Sequence, residues 1–528
     1  MALIAIWVGY FTLKMHQIDS AFFAWNENEW RIDNYFARPS LLARFINTEC
    51  FGDGSLALHL IRVGFVSPAL NRVVQLMEEA DKDEKSSLPK ILCNERARAS
   101  LQQRVDDFYT DIKSSTSLTV MGKMILYQSS YESLVNHHGL LELGMNAHVQ
   151  NEVIKEPVFI VSLPRTGTTI LHRTMALDKS TFRSFDFSDM TIPLPNIIPG
   201  WDDQGRIQKS KEGEQFIRLY DTVYPGILKC VGTMHTLEPA GADEDLGWLD
   251  HGLGHRYRTL FKLYPEYRAK VKVGEEDDGS WGNVENDGVA EYRYAWLAMI
   301  MKIYQWVDKD QWEQRHNFGD GMLQNNNEHP TSGLPWIMKD PNHAPRLNEL
   351  LAQFPDAKFI FIHRSPADIV TSLTKLYTVF ISMDFKPGSR GSSAKELGKE
   401  AVLRTKYYSN GIINFTREHT FNQVSSPYSL YANSTSRIDL NFEDLVRDVS
   451  GSIQKIYQQF YPNGDGPSDT ATEAMNTYLK QQQSIRKTSQ RRSLKDLHLT
   501  SNDVAFTEYN DLFSSIHEIT SSTNKETH

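Results

Sequence analysis

The stretch "VFIVSLPRTGTTILHRTMAL", Val158 to Leu177, decides the fold. It passes from mostly β-branched apolar residues through a Pro-Arg-Thr-Gly-Thr-Thr turn into a segment without a helix breaker. That order predicts a buried strand, a tight loop and a helix. A loop so placed aims the unpaired backbone N–H groups of the helix's first turn at whatever lies above it, which makes an anion site. Gly167 lets the backbone come close, Thr168 and Thr169 add hydroxyl donors, and Arg165 brings a fixed positive charge. A Gly-x4-Gly-Lys-Ser/Thr phosphate loop would be longer and would carry a Lys-Ser/Thr pair for a triphosphate and its magnesium. The ligand expected here needs fewer phosphate contacts and no metal.

A second unit of the same kind is "AKFIFIHRSPADIVTSLTKL", Ala357 to Leu376. Arg364 ends its apolar run, Ser365 suits the helix cap, Pro366 the first helical position and Asp368 the place of a capping-box acid. Ser372 lies about 10 Å along that helix, so a long Arg364 side chain and the Ser372 hydroxyl can bracket one anion. "LPWIMKDPNH" adds a short apolar run ending in Lys339, and "RIDLNFEDLVRDVSGSIQKIYQQF" reads as strand, turn and helix. Strands alternating with helices predict an α/β fold, a P-loop-like three-layer core around a central parallel sheet.

The flanks read differently. Residues 1–150 place apolar residues at three- and four-residue spacing with charges between, which predicts an N-terminal helical region. Residues 151–512 form the α/β domain, and 513–528 a polar tail. The acidic run 78–85 and the Gly-rich run 274–288 lack the alternating oxygens of a calcium loop and read as solvated loops. With 528 residues, 40% of them hydrophobic, the chain is long enough for two or three domains with a real core. A net charge of -10 excludes a general nucleic-acid binder. Cys50, Cys93 and Cys230 are scattered and imply neither a disulfide framework nor a zinc site. The apolar segment 1–13 is shorter than the ~20 residues of a spanning helix and lacks the basic start of a signal peptide. An interfacial anchor and a buried first helix both suit it, so the compartment stays open between cytoplasm and a membrane surface.

Taken together and in this order, the motifs resemble the sulfotransferases that use 3'-phosphoadenosine 5'-phosphosulfate (PAPS), in their broad bacterial-type and tyrosylprotein-type branch. "LPRTGTT" with the following "LHR" resembles that branch's 5'-phosphosulfate loop, with Arg165 where other branches carry lysine. "HRSPADIVTSL" resembles the 3'-phosphate site and carries over Arg364 and Ser372. "WIMKDPNH" is similar to the Trp-x-x-Lys-x-Pro-x-His element, carrying over Lys339 and His343. "NFEDLVRD" resembles a Tyr-Glu-Asp-Leu segment with Phe442 in the tyrosine's place. "RRSLKDLHLT" resembles the closing motif, whose upstream basic residues point to Arg491 or Arg492 at the 3'-phosphate.

The resemblance implies PAPS as co-substrate, no metal, and in-line sulfuryl transfer to a hydroxyl or amine of a small-molecule, lipid or carbohydrate acceptor. Charge builds on the bridging oxygen as the S–O bond breaks, so positioned cations and backbone donors carry the catalysis. The leaving phosphate falls to Arg165 and the amides from Thr166 to Thr169, and the sulfuryl group or bridging oxygen to Lys339, with His343 beside it. The acceptor hydroxyl needs a base. In the branch this is a glutamate beyond the loop, whose place falls on Asp189 in "RSFDFSDMTIPLPN"; Asp186, a histidine, and a purely helix-capping role for Asp189 stay open. "MHTLEPAGADED" resembles the acceptor-side element and offers His235 and Glu244. Two other readings are kept: a non-catalytic PAPS-binding relative, and a P-loop nucleotide kinase.

Overall fold

The computed structural model of the chain describes residues 53–191, 210–211, 213–215, 217–218, 221, 237–245, 247–248, 289–317, 333–386, 393–421, 436–462, 464, 466–485 and 493–514. Ahead of the sheet, the described residues from 53 on form the helices α1 (Ser55–Ile61), α2 (Ser67–Lys82), α3 (Glu95–Ser114) and α4 (Val120–Gly144). The starts of the two longest are written in the sequence. Asn94 accepts the Ala97 N–H and Thr119 the Gly122 N–H, each satisfying a donor that the helix itself leaves unpaired. Cys93 is buried, as a core thiol should be. Segment 1–13 and the Gly-rich run 274–288 lie outside the described residues, and among those described no helix is long and apolar enough to cross a membrane.

Beyond α4 the predicted strands appear: β1 (Val158–Ile160), β2 (Ile337–Lys339), β3 (Lys358–His363) and β4 (Arg437–Asn441). All pair in parallel, in the order β2-β1-β3-β4, with Ile160 opposite both Lys339 and Ile360. The helices between them are α5 (Thr168–Met175), α6 (Phe187–Thr191), α7 (Val289–Asn317), α8 (Leu347–Gln353), α9 (Pro366–Asp384) and α10 (Ala394–Phe421), and α11 (Phe442–Arg447), α12 (Val449–Phe460) and α13 (Asp469–Ile485) follow β4.

Successive residues of β1 and β3 enter different hydrophobic clusters, as side chains of period two must when a sheet is buried on both faces. Val158, Ile160, Ile360 and Ile362 pack with Leu171 and Met175 of α5 and Ile453 and Ile456 of α12. Phe159, Phe359 and Phe361 pack on the other side with Trp296 and Ile300 of α7 and with residues of all four N-terminal helices, among them Leu58, Val73, Leu101 and Leu134. The three-layer α/β core expected from the strand–helix alternation is therefore the observed one.

One close approach holds the chain just beyond β2. The 3-10 turn Pro341–Arg346 lies against α10 at Gly411, where an added Cβ would come 2.2 Å from the Ala344 carbonyl oxygen and 2.5 Å from Pro345 Cα. Both are backbone atoms that cannot swing away. In an open helix, Gly→Ala stabilises by roughly 1 kcal/mol. Here Gly411→Ala is expected to destabilise by about 1–3 kcal/mol, read as a lower urea midpoint at an unchanged slope.

Candidate functional site

β1, β2 and β3 end at one edge of the sheet, and the loop between β1 and α5 crosses it. Arg165 and Gly167 both lie in the left-handed region, with φ of 67° and 80°. A non-glycine residue there costs about 1–2 kcal/mol, strain of the kind that collects in ligand-holding loops. Such turns point successive backbone N–H groups into one concavity. Gly167 is the N-cap of α5 and no side chain caps it, leaving the first-turn amides to the concavity. Thr166 is fully buried and its hydroxyl donates to the Leu163 carbonyl at 2.8 Å, so it shapes the loop from behind.

The second unit meets the first across some two hundred residues of sequence. Ser372 Oγ accepts the Arg165 Nε–H at 3.0 Å, and Arg364 Nη1 donates to the Arg165 carbonyl at 2.6 Å. The Arg364 guanidinium stacks 4.2 Å from the centre of the Phe442 ring. Phe442, which lacks a tyrosine's hydroxyl, thus contributes a ring face under a cation. Arg364 and Ser372, the two residues expected to bracket an anion, both contact Arg165.

On the other side of the loop, Lys339 ends β2 with 1% of its side chain exposed. Its Nζ donates to Thr169 Oγ1 at 3.1 Å and forms an ion pair with the Glu244 carboxylate. Behind it, the Asp245 N–H donates to the Lys339 carbonyl, and Asp245 Oδ2 is 2.8 Å from His343 Nε2. The Tyr294 hydroxyl is 3.1 Å from the other ring nitrogen of His343, and the ring is fully buried. His343 therefore supports the segment at 245 from beneath. Burial and the charge of Asp245 push Asp340 up to about 6, whereas at Asp245 the effect of burial is outweighed by His343, which holds the carboxyl below its ordinary range. Arg293 approaches Asp340 Oδ2 to 3.8 Å and supplies positive charge to this layer.

Arg173 holds the acidic segment in place. This residue of α5, 3% exposed at its side chain, donates from Nε to the Ala242 carbonyl (2.9 Å), from Nη1 to Glu238 (2.9 Å) and from Nη2 to Asp243 (3.2 Å). Residues 185–187 run alongside: the Asp243 N–H donates to the Phe185 carbonyl and the Phe187 N–H to Gly241. Asp186 precedes α6, and Asp189 Oδ2 accepts its N–H at 2.8 Å while Asp189 also takes a hydrogen bond from the Tyr304 hydroxyl. Asp189 thus has the contacts of a helix-start cap. The site gathers Arg165, Gly167, Thr168, Thr169, Lys339, Glu244, Arg364 and Ser372. His235, Arg491 and Arg492 lie outside the described residues.

Two measurements test this framework. Arg173→Ala strands Glu238 and Asp243 without their buried cation and is expected to cost about 3–5 kcal/mol of unfolding free energy in urea. His172, whose Nε2 donates to the Ile337 carbonyl at 3.2 Å, has its pKa lowered to about 4 by burial and then by the nearby Lys339 charge. The unfolded chain then binds the proton more readily than the folded one. Stability is full above the ordinary histidine range and falls as pH drops, by about 2 kcal/mol from about pH 7 to about pH 5. His172→Gln is expected to remove that part of the pH dependence.

Known proteins share this fold. A sulfotransferase from Mycobacterium tuberculosis superposes with a TM-score of 0.51 at 18% identity, covering 82% of this chain and 97% of its own. One from Mycobacterium avium gives 0.55 at 17% identity, covering 83% of this chain and 96% of its own. At such identities the likeness speaks for the fold. No curated protein matches the chain significantly. The model of the sulfotransferase family, however, matches residues 157–461 in sequence, from the residue before β1 to the one after α12. With more than half of its length matched, and with the P-loop-like sheet that the two mycobacterial structures share, the chain belongs to the sulfotransferase family.

Proposed function

We propose that the protein moves a sulfuryl group from PAPS to a hydroxyl or amine of a small-molecule, lipid or carbohydrate acceptor. The observation that carries the donor is the convergence of Arg165, Arg364 and Ser372 beside a helix start that no side chain caps. A nucleotide bearing anionic groups at its 3' and 5' positions suits that pair of neighbouring cationic positions. The 3'-phosphate takes Arg364 and Ser372, with Phe442 stacked beneath the guanidinium, and the 5'-phosphosulfate takes Arg165 and the amides from Thr166 to Thr169. Arg491 and Arg492 belong to the same reading, near the 3'-phosphate.

Lys339 then faces the sulfuryl group or the oxygen that bridges it to phosphorus. Cations already in position when charge builds on the leaving phosphate lower the barrier without reorganising at that moment. His343 acts through Asp245 by fixing the end of β2. The domain division follows the same reading, with a helical region over 1–150 set against a sulfotransferase domain over 151–512 and a polar tail beyond.

The test is direct. 3'-Phosphoadenosine 5'-phosphate is expected to raise the melting temperature of the protein, and radiolabelled sulfate is expected to leave PAPS only in the active protein. Arg364→Ala removes a charge-assisted contact and is expected to weaken nucleotide binding by roughly 10–100-fold in calorimetry. A folded protein whose melting temperature ignores the nucleotide at millimolar concentration would overturn the donor assignment.

A further inference from the structure

The counter-ion of Lys339 plays no part in the donor contacts above, yet its placement is specific. Lys339 is almost wholly buried, and a buried ammonium is held only against a nearby negative charge. Glu244 supplies that charge from the solvent side, with 28% of its side chain exposed. The backbone on either side of it is anchored. Asp243 is gripped by Arg173 and also accepts the Glu244 N–H at 2.7 Å, while Asp245 is gripped by His343. Between two anchored neighbours, the Glu244 side chain is the part of the segment that can move. Because Lys339 also touches Thr169 in the first turn of α5, an anion seated on the loop competes directly with Glu244 for the ammonium. A carboxylate displaced in this way stays at the solvent-facing side of Lys339, next to the loop. Asp189, by contrast, is engaged by the Asp186 N–H and the Tyr304 hydroxyl.

We propose that Glu244 is the carboxylate that takes the acceptor's proton, and that before the donor binds it is the counter-ion of Lys339; the inference rests on the PAPS reading above. In the reacting complex an acceptor oxygen lone pair forms the new bond to sulfur. The bond from sulfur to the bridging oxygen breaks, and its electron pair remains on the 5'-phosphate. The acceptor proton passes to the Glu244 carboxylate. The products are a sulfate ester, 3'-phosphoadenosine 5'-phosphate and a protonated Glu244, which returns its proton to water before pairing again with Lys339.

Glu244→Gln separates this role from a structural one, because binding and transfer should move in opposite directions. In calorimetry without acceptor, PAPS is expected to bind about tenfold tighter to the variant, since no anion has to be displaced. Transfer of labelled sulfate to 4-nitrophenol and to water, used as probe acceptors, is expected to fall by about 100-fold or more. Glu244→Asp should recover part of the transfer, and it carries the test if the Gln variant does not fold. Without PAPS the Gln variant should melt lower, with Lys339 left uncompensated, and its PAPS-induced shift should be larger. Transfer within about threefold of the parent, or PAPS binding that weakens together with transfer, overturns the proposal. So does loss of transfer in Asp189→Asn with normal transfer in Glu244→Gln. A parent protein that does not bind PAPS at all is a separate result, and it defeats the donor reading itself.

Discussion

β1 is only three residues long, and it is hydrogen-bonded on both sides, to β2 and to β3. That constraint governs the rest of the molecule. A parallel strand with two neighbours has no edge and no solvent face, so Val158, Phe159 and Ile160 are all fully buried. It also brings the ends of β1 and β2 to one level, with Ile160 opposite Lys339, while β3 passes Ile160 at Ile360 and runs on to His363. The loop after β1, the lysine ending β2 and the arginine after β3 are neighbours because the strands are in register. Ligands in open parallel sheets bind at such carboxyl ends, where loops from non-adjacent parts of the chain meet.

Charge balance is the second layer. Lys339, Arg173, Arg293, Asp245 and Asp340 are withdrawn from water around one strand end, and burying ions is costly unless each finds a partner in good geometry. The partners are found in a chain: Arg173 with Asp243 and Glu238, Lys339 with Glu244, His343 with Asp245, and Arg293 near Asp340. The raised Asp340 shows where the compensation is thinnest, since burial and the neighbouring Asp245 both disfavour its charge. An arrangement of this kind adds little net stability but admits few alternatives, which suits a site whose donors must stand ready.

Much of this was legible because it is local. The strand, glycine loop and helix of 158–175 follow from residue order alone, and so does the strand–helix unit carrying Arg364 and Ser372; that both of these contact Arg165 does not. Phe442 was legible as a departure from tyrosine, though its stacking under Arg364 was not, because a ring shows its polar edge in sequence and its face only in space. The capping role of Asp189 was open from the start, since an acid at the third helical position suits a helix start. The Arg173 clamp and the Lys339–Glu244 pair were not legible. They join residues far apart in sequence, and nothing in the periodicity of α5 marks one arginine among its buried residues as a three-way donor. His343 illustrates the converse: a motif match names a residue and says nothing about whether its ring faces the ligand or the core.

The hydrophobic cluster on the Phe159 face of the sheet runs from Leu58 in α1 to Phe513 near the end of the described chain. A core shared so widely sets the size of the cooperative unit. Peeling the N-terminal helices away would expose Phe159, Phe359 and Phe361 together, so partial opening at that end carries nearly the cost of losing the sheet. The strained turn at Arg165 sits directly on that sheet. The N-terminal helices therefore help keep a left-handed arginine from relaxing, so the precision of the anion loop depends on packing contributed from a distant part of the chain.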